Sequence, residues 1–441
     1  MAIGVAARLA ARAPVPVYCL ENGGDRLSRY LHLDPRLRLT RSPRHASILL
    51  VAGNVPEEMA IAAANVHDLL PLPRGVVLWN CTQSSTLFTG DGVHTAGGGL
   101  PTEDIISLHR ELIHGTKSST PAIGPAENPV TWQGEGDHGQ GGKGMMGGTP
   151  YGRPMAKTAA DLRDGLKLGS TMVTIGPYLP WLPPGLRLHL TLQGDVVQKL
   201  ECSVASVQTA SMADIFQTAL TESVSLAELE LARARHHLQI IADLLFLSEL
   251  EKLGRQTLTI ARSLVAGRTA AVHKLQKAIH RSGFLLWSTR SVGRLADADL
   301  TGCGPLARAT GSHEDIRNQD PAYAALDFEI VSRTGSDAAA VCIQRLEECL
   351  QALELAARAS KELRQPGPPL EGPRGSLPFD RSQKVLDLLE NQAVGMSWDT
   401  FVTLLVSLDL DCAALPPTPD FDEADRQHKD EEEEEDHGHH H

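Results

Sequence analysis

Residues 302–355, GCGPLARATGSHEDIRNQDPAYAALDFEIVSRTGSDAAAVCIQRLEECLQALEL, decide how the rest of the chain is read. Gly302, Gly304 and Pro305 interrupt any regular element, so residues 306–310 follow a constrained turn. His313, Glu314, Asp315 and Arg317 come next, then Pro321 and Tyr323. Ser336 and Asp337 stand as an N-cap before a helix with Leu346, Leu350 and Leu353 on one stripe. A polar loop therefore lies between apolar neighbours. Arginine serves structure more often than chemistry, so Arg308 and Arg317 are expected to hold this loop by bonding carbonyls and Asp315 or Asp320.

The same stretch resembles the large subunit shared by membrane-bound nickel-iron hydrogenases and respiratory complex I, which in the latter helps form the quinone site. In that family a Gly-Pro-x-x-Arg-Ala-Ser/Thr-Gly turn precedes an Asp-x-Arg, a Pro-Tyr and a Gly-Asp helix start. Here these read Gly304-Pro305-Leu306-Ala307-Arg308-Ala309-Thr310-Gly311, Asp315-Ile316-Arg317, Pro321-Ala322-Tyr323 and Gly335-Ser336-Asp337. Upstream, Gly176-Pro177-Tyr178-Leu179-Pro180 leads into alternating strands over residues 186–192 and 196–202 across a Gln193-Gly194-Asp195 turn, which predicts a β-hairpin. The family has Gly-Pro-x-His-Pro before its hairpin, with the histidine near the quinone headgroup. Leu179 takes that position, and leucine can line a pocket but has no proton to give.

A helical core is expected over residues 211–281, where Glu230, Arg233 and His237 share one helix face. The bland reading is an ion pair that stabilises a bundle helix; the family keeps a similar Glu-x-x-Arg-x-x-x-His helix beside its active cleft. Glu371-Gly372-Pro373-Arg374-Gly375 resembles the family's Pro-Arg-Gly turn. The implied quinone or ligand cleft therefore comprises Tyr178, Leu179, Glu230, Arg233, His237, Arg308, Asp315, Arg317 and Arg374, with Arg308 and His237 available to a carbonyl-type headgroup. Hydrogenases hold nickel and iron through two Cys-x-x-Cys pairs. This chain has Met212-Ala213-Asp214-Ile215-Phe216-Gln217 at the first and only Cys412 at the second, so a Ni-Fe centre is expected to be absent.

Residues 15–113 alternate apolar runs (15–20, 47–51, 75–79) with helix-like stretches such as 57–70, the pattern of a parallel sheet with covering helices. This half resembles the small partner subunit of the same enzymes, which carries a four-iron cluster. The resemblance rests on Ser42-Pro43-Arg44 with the following strand, Gly53-Asn54-Val55, Pro71-Leu72-Pro73, residues 76–78 and Cys81. Family members supply four thiolates, whereas here Gly24 and Gly99 stand where cysteines are expected and Cys19 is out of register. Cys19, Cys81 and Cys412 are thus remnants, the first two readable as small buried hydrophobes. A [4Fe-4S] cluster is expected to be absent; completion by Asp25, His94 or a partner chain needs extra assumptions.

With 441 residues, 42% of them hydrophobic, the chain can bury at least two cores. The expected division is a small-subunit-like α/β domain (flavodoxin-like parallel sheet) at 1–114, a glycine-rich linker at 115–150, an α+β, mostly helical, hydrogenase-large-subunit-like domain at 151–415, and an acidic, His-rich tail at 416–441. The linker's Glu135, Asp137, His138 and Lys143 read as a tether before they read as a metal or anion loop. The tail is expected to be disordered. No apolar run approaches the roughly 18–20 residues that span a bilayer, no secretory signal is legible, and the seven cysteines are too scattered for a disulfide framework. Net charge is −13, of which residues 430–436 alone supply seven acids. Nucleic acid is therefore not an expected partner.

Taken together, the resemblance implies a fusion of both subunits in a complex I-like (NADH-quinone oxidoreductase) assembly, peripheral on the inner, cytoplasmic face of the cell membrane. Integral membrane subunits are its implied partners, with a ferredoxin-like cluster subunit as a further one and a quinone as the ligand. One form of this reading makes the chain a coupling piece without its own redox centre; the alternative makes it a redox-active quinone oxidoreductase subunit using a neighbour's cluster. A two-domain binding protein unrelated to respiration is the third reading.

Overall fold

The computed structural model describes residues 13–23, 27–81, 87–124, 157–160, 167–205, 215–295, 298–377 and 381–418. Gly24, Asp25, most of the linker with its four polar residues, residues 206–214 and the tail from 419 lie outside them.

β1 (Val15–Glu21), β2 (Leu37–Leu39), β3 (Ile48–Ala52), β4 (Gly75–Trp79) and β5 (Val93–Ala96) form one parallel sheet in the order β2-β1-β3-β4-β5. This is the flavodoxin-like strand order. Successive β3 residues face opposite sides: Leu49 and Val51 pack with Met59 and Ala63, around the start of α1 (Ala60–Asp68). Ile48 and Leu50 pack with Ile105, Leu108 and Leu112 of α2 (Thr102–His114). Two-sided burial is why β3 and β4 read as unbroken apolar runs. β2 has three residues and β5 buries only Ala96, so neither edge strand carries an apolar signal.

A second, antiparallel sheet holds β6 (Lys157–Ala160), β7 (Lys167–Ile175), β8 (Leu186–Gln193) and β9 (Val196–Val204) in sequence order. The expected hairpin is β8–β9; β6 and β7 extend it. Leu188, Leu190 and Cys202 of this sheet share a core with Ala234, Leu238 and Ile241.

The helices follow: α3 (Ile215–Thr221), α4 (Leu226–Leu247), α5 (Glu251–Arg262), α6 (Ala270–Arg281), α7 (Phe284–Trp287), α8 (Pro305–Ala309), α9 (Ala338–Ala359), α10 (Ser382–Ala393) and α11 (Trp398–Leu408). The Asp337 side chain caps α9 by accepting from the Ala340 N–H at 2.9 Å, and Ser225 caps α4 by accepting from that of Glu228 at 3.3 Å. α4 and α9 are each 22 residues long and lie side by side, with Leu238 and Ile241 in the same core as Leu346, Cys349 and Leu353.

Two glycine turns position the polar residues. A Cβ on Gly375 would lie 2.2 Å from the Gly302 carbonyl oxygen, and one on Gly304 would lie 2.7 Å from Gly375 Cα. Their φ angles are +140° and +51°, and the Ser376 N–H donates to the Gly302 carbonyl at 3.2 Å. The backbones of the Gly302–Gly304 and Pro373–Gly375 turns therefore touch, which brings Arg308 and Glu371 within bonding reach. Gly375→Ala should cost about 2 kcal/mol or more, since it adds positive-φ strain to a backbone clash. An unchanged denaturant midpoint would contradict this packing.

Candidate functional site

α4 contributes Glu230, Arg233 and His237, and α9 contributes Arg345 and Glu348; each is fully buried. Arg308 comes from α8, Asp315 and Arg317 from the loop after it, and Glu371 from the strand ahead of the second glycine turn. Isolated charges this deep would cost several kcal/mol each, so they persist only if paired.

The pairing is dense. Arg308 donates from Nε and Nη2 to the two carboxylate oxygens of Glu348 at 2.7 and 3.0 Å. Its Nη1 reaches Glu371 Oε1 at 2.8 Å, Asp315 Oδ2 at 3.0 Å and the Glu314 carbonyl at 3.3 Å. Arg317 holds Asp315 in a two-point fork at 3.0 and 2.7 Å, and its Nη1 lies 3.4 Å from Glu230 Oε2. Glu230 also accepts from Tyr323 Oη at 2.5 Å and from Arg233 Nε at 3.1 Å. Arg233 spends its remaining donors on the carbonyls of Gly372 at 2.8 Å and Glu371 at 2.6 Å. Fork geometry of this kind is what distinguishes arginine from lysine.

A second lobe centres on buried Asp409, at the C-terminal end of α11. It accepts from His236 Nε2 at 2.6 Å and Arg374 Nε at 3.1 Å, and Arg345 Nη2 lies 3.3 Å away. His237 joins the lobes. Its Nδ1 lies 3.4 Å from Arg345 Nη1, and its Nε2 is 3.4 Å from Glu348 Oε2, close enough for attraction but without a hydrogen bond.

These contacts set the protonation states. Burial alone would raise the Glu348 carboxyl, but Arg308 and His237 hold it well below its usual range. Burial would likewise raise Asp409, which Arg374, His236 and Arg345 hold well below its own. Burial pushes Glu371 upward, and the neighbouring Asp315 adds to this against the pull of Arg308. Desolvation lowers His237 to about 4 despite Glu348, so its imidazole is neutral at pH 7, with Nε2 carrying the proton toward Glu348 and Nδ1 facing Arg345.

Of the nine residues assigned to a cleft, Glu230, Arg233, His237, Arg308, Asp315 and Arg317 meet in this network, and Arg374 reaches it through Asp409. Tyr178 does not. Its Oη donates to Asn22 Oδ1 at 2.6 Å and its carbonyl accepts from Tyr18 Oη at 2.7 Å, so it fastens the hairpin's entry to β1. Leu179 packs half-buried against the main core. Arg308 and His237 also differ from the expectation that they stand ready for a headgroup: Arg308 commits its donors within the protein, and both side chains are fully buried.

Among the described residues the buried donors without a hydrogen-bond partner include His237 Nε2, Arg345 Nε and Nη2, and Arg381 Nη1. Arg381 Nη2 donates to the Asp409 carbonyl at 2.8 Å, while its buried Nη1 has no partner. It borders a cavity of about 560 Å³ with Asp315, Glu371, His313 and Lys384. Residue-type reasoning missed Arg345, Glu348, Glu371, Arg381 and Asp409; Arg345-x-x-Glu348 mirrors Glu230-x-x-Arg233, and that spacing was the available signal.

Cys19 packs in the core layer that contains α2, and Cys81 in the layer on the other face of the sheet. Burial raises both thiols. Cys412 is buried, and Gly99, where a thiolate was expected, sits at φ +89°. Among the described residues no group of three or more His, Cys, Asp or Glu is arranged to hold a metal ion.

Residues 254–393 match the family model described as the 49 Kd subunit of respiratory-chain NADH dehydrogenase. That span contains Arg308, Asp315, Arg317, Arg345, Glu348, Glu371, Arg374 and Arg381, but not the α4 residues or Asp409. One similar solved chain belongs to the membrane-bound sulfane sulfur reductase, an archaeal respiratory membrane complex. It is 17% identical over 56% of this chain and 98% of its own, with a TM-score of 0.39. No curated protein matches the chain.

A neutral buried His237 makes stability pH-dependent with a definite sign. The unfolded imidazole takes up a proton at about 6.5 and the folded one at about 4, so the stabilisation is complete above pH 6.5 and is lost as pH falls between these values. The contribution of His237 to the slope should approach about 1.4 kcal/mol per pH unit. His236 and His32, which desolvation lowers to about 3 and about 4, add slopes of the same sign, so His237→Gln should reduce the total slope in denaturant titrations by about its own share; an identical slope in the variant would contradict the assignment.

Proposed function

We propose that this chain is a peripheral-arm subunit of a complex I-like membrane assembly, contributing the region of the quinone cleft and coupling it to ion-translocating membrane subunits without a redox centre of its own. The observation that carries this reading is the closed ion-pair network, most of whose members lie in the stretch similar to the 49 Kd subunit family. A network that pairs its own charges serves as a rigid frame. It leaves neither Arg308 nor His237 to move a proton, and Leu179 adds no donor.

Two features favour a non-redox role. A cluster needs converging thiolates, yet Cys19 and Cys81 pack on opposite faces of the sheet and burial favours their neutral thiols. The first half's likeness to a small cluster-bearing subunit, and hence a fusion origin, rests on its motifs together with the flavodoxin-like sheet. Any small carbonyl-type ligand is assigned to the 560 Å³ cavity, which Arg381 and Lys384 line as cations. No described helix is long and apolar enough to cross a membrane, so attachment is assigned chiefly to partner subunits.

The test is affinity purification of the tagged chain from native membranes in mild detergent, followed by titration of a soluble quinone. Integral membrane subunits should co-purify, and quinone binding should be weak, saturable and further weakened by Arg381→Lys. Recovery without membrane partners would overturn the assembly reading. Rapid quinone reduction by the purified complex, abolished by substitutions lining this cavity, would replace the coupling role with the redox-active alternative.

A further inference from the structure

α6 carries its core contacts on Val272, Leu275 and Ile279, spaced as one helix face. At 100° per residue, Lys274, Lys277 and Arg281 fall together on the opposite side, and all three are exposed. His273 and His280, also exposed, flank them. None of the three cations has an acidic partner among the described residues. The surrounding sequence exaggerates this: residues 252–296 contain nine Lys and Arg and no Asp or Glu, in a chain whose net charge is −13.

The C-terminal end of this stripe is apolar. Phe284 of α7 is buried, whereas Leu286 is 49% and Trp287 84% exposed. A Cβ on Gly283 would lie 2.7 Å from Trp287 Cδ1, so the indole folds back over the end of α6 instead of standing free. Arg290 is exposed just beyond and lines the hollows on both sides of α7. A largely exposed tryptophan and a half-exposed leucine at the end of a cationic stripe without acidic partners among the described residues make a combined electrostatic and apolar surface.

We propose that the outer face of α6, with Leu286, Trp287 and Arg290, docks directly on an anionic phospholipid surface. Charge complementarity selects an anionic occupant, and the apolar end selects lipid among anionic ones. An amphipathic tryptophan sits favourably at headgroup depth, and cations beside it are attracted by acidic headgroups. The chain's own acidic segment, residues 430–436, matches the charge, but nothing from 430 to 441 is apolar, so it would leave Leu286 and Trp287 uncovered. The surface lies outside the ion-pair network, and its lipid contact stands independently of any quinone or membrane-subunit partner.

The experiment is sedimentation of the purified full chain with phosphatidylglycerol vesicles and with phosphatidylcholine vesicles. The wild type should bind the first at low ionic strength and not the second, and should be released in about 1 M salt, where the Debye length is roughly 3 Å. A combined Lys274→Gln, Lys277→Gln and Arg281→Gln variant should partition about 100-fold more weakly, each cation near an acidic surface contributing roughly a fivefold factor. Trp287→Ala should weaken binding on its own. Unchanged thermal unfolding of these surface variants confirms that the fold is intact. Equal binding to both vesicle types, no binding to either, or undiminished binding by the triple variant overturns the proposal. Binding of an acidic peptide of residues 430–436 to the wild type but not the triple variant, without vesicle binding, assigns the stripe to an acidic segment and likewise overturns it.

Discussion

The fully buried guanidinium of Arg308 is the interaction on which the helical half depends. It ties α8 to α9 through Glu348, to the second glycine turn through Glu371 and to the intervening loop through Asp315 and the Glu314 carbonyl. Arg317 extends the same pairing to α4 through Glu230, and Arg233 ties α4 to the second glycine turn through the Gly372 and Glu371 carbonyls. Five carboxylates, those of Glu230, Asp315, Glu348, Glu371 and Asp409, are thus held in the interior opposite Arg233, Arg308, Arg317 and Arg345. Such an arrangement gains little over a well-packed apolar core, but losing one partner strands the others without water. Its consequence is a fixed register among segments distant in sequence, and the two touching glycine turns are the condition for that register.

The same closure shapes the functional reading. Polar residues gathered beside a cavity ordinarily invite a catalytic assignment, yet here the donors of Arg233, Arg308 and Arg317 are spent on acceptors within the protein. His237 is neutral because it is dry, and its two nitrogens face Arg345 and Glu348. What the network leaves over is a few buried donors, Arg345 Nε and Nη2, His237 Nε2 and Arg381 Nη1, of which only Arg381 belongs to a residue that lines the cavity. A rigid frame whose few unspent donors are buried suits holding and coupling better than proton transfer.

Much of this was legible in the sequence because the informative residues obey local rules. Two-sided burial made β3 and β4 unbroken apolar runs, the alternation around Gly194 gave the β8–β9 hairpin, and Asp337 announced the start of α9. Arg308, Arg317 and Asp315 were readable as a loop clamp from residue type alone. Glu371 and Asp409 were not, because their partners lie 63 and 173 residues away, at Arg308 and His236, and no spacing encodes such a meeting. β2 and β5 escaped notice because edge strands need no continuous apolar run. That Tyr178 lies apart from the network was hidden for a related reason. Its motif resembles a cleft motif, but its hydroxyl answers to Asn22, which is 156 residues away.

A double-mutant cycle on Arg308 and Glu348, read as unfolding free energy from denaturant titration, tests the central claim most directly. Arg308→Ala and Glu348→Ala should each cost about 3–5 kcal/mol, because each strands a buried charge. The double variant should cost well under the sum, with a coupling of about 2 kcal/mol or more. Additive single effects, or losses of less than about 1 kcal/mol, would show that the network does not hold this fold together.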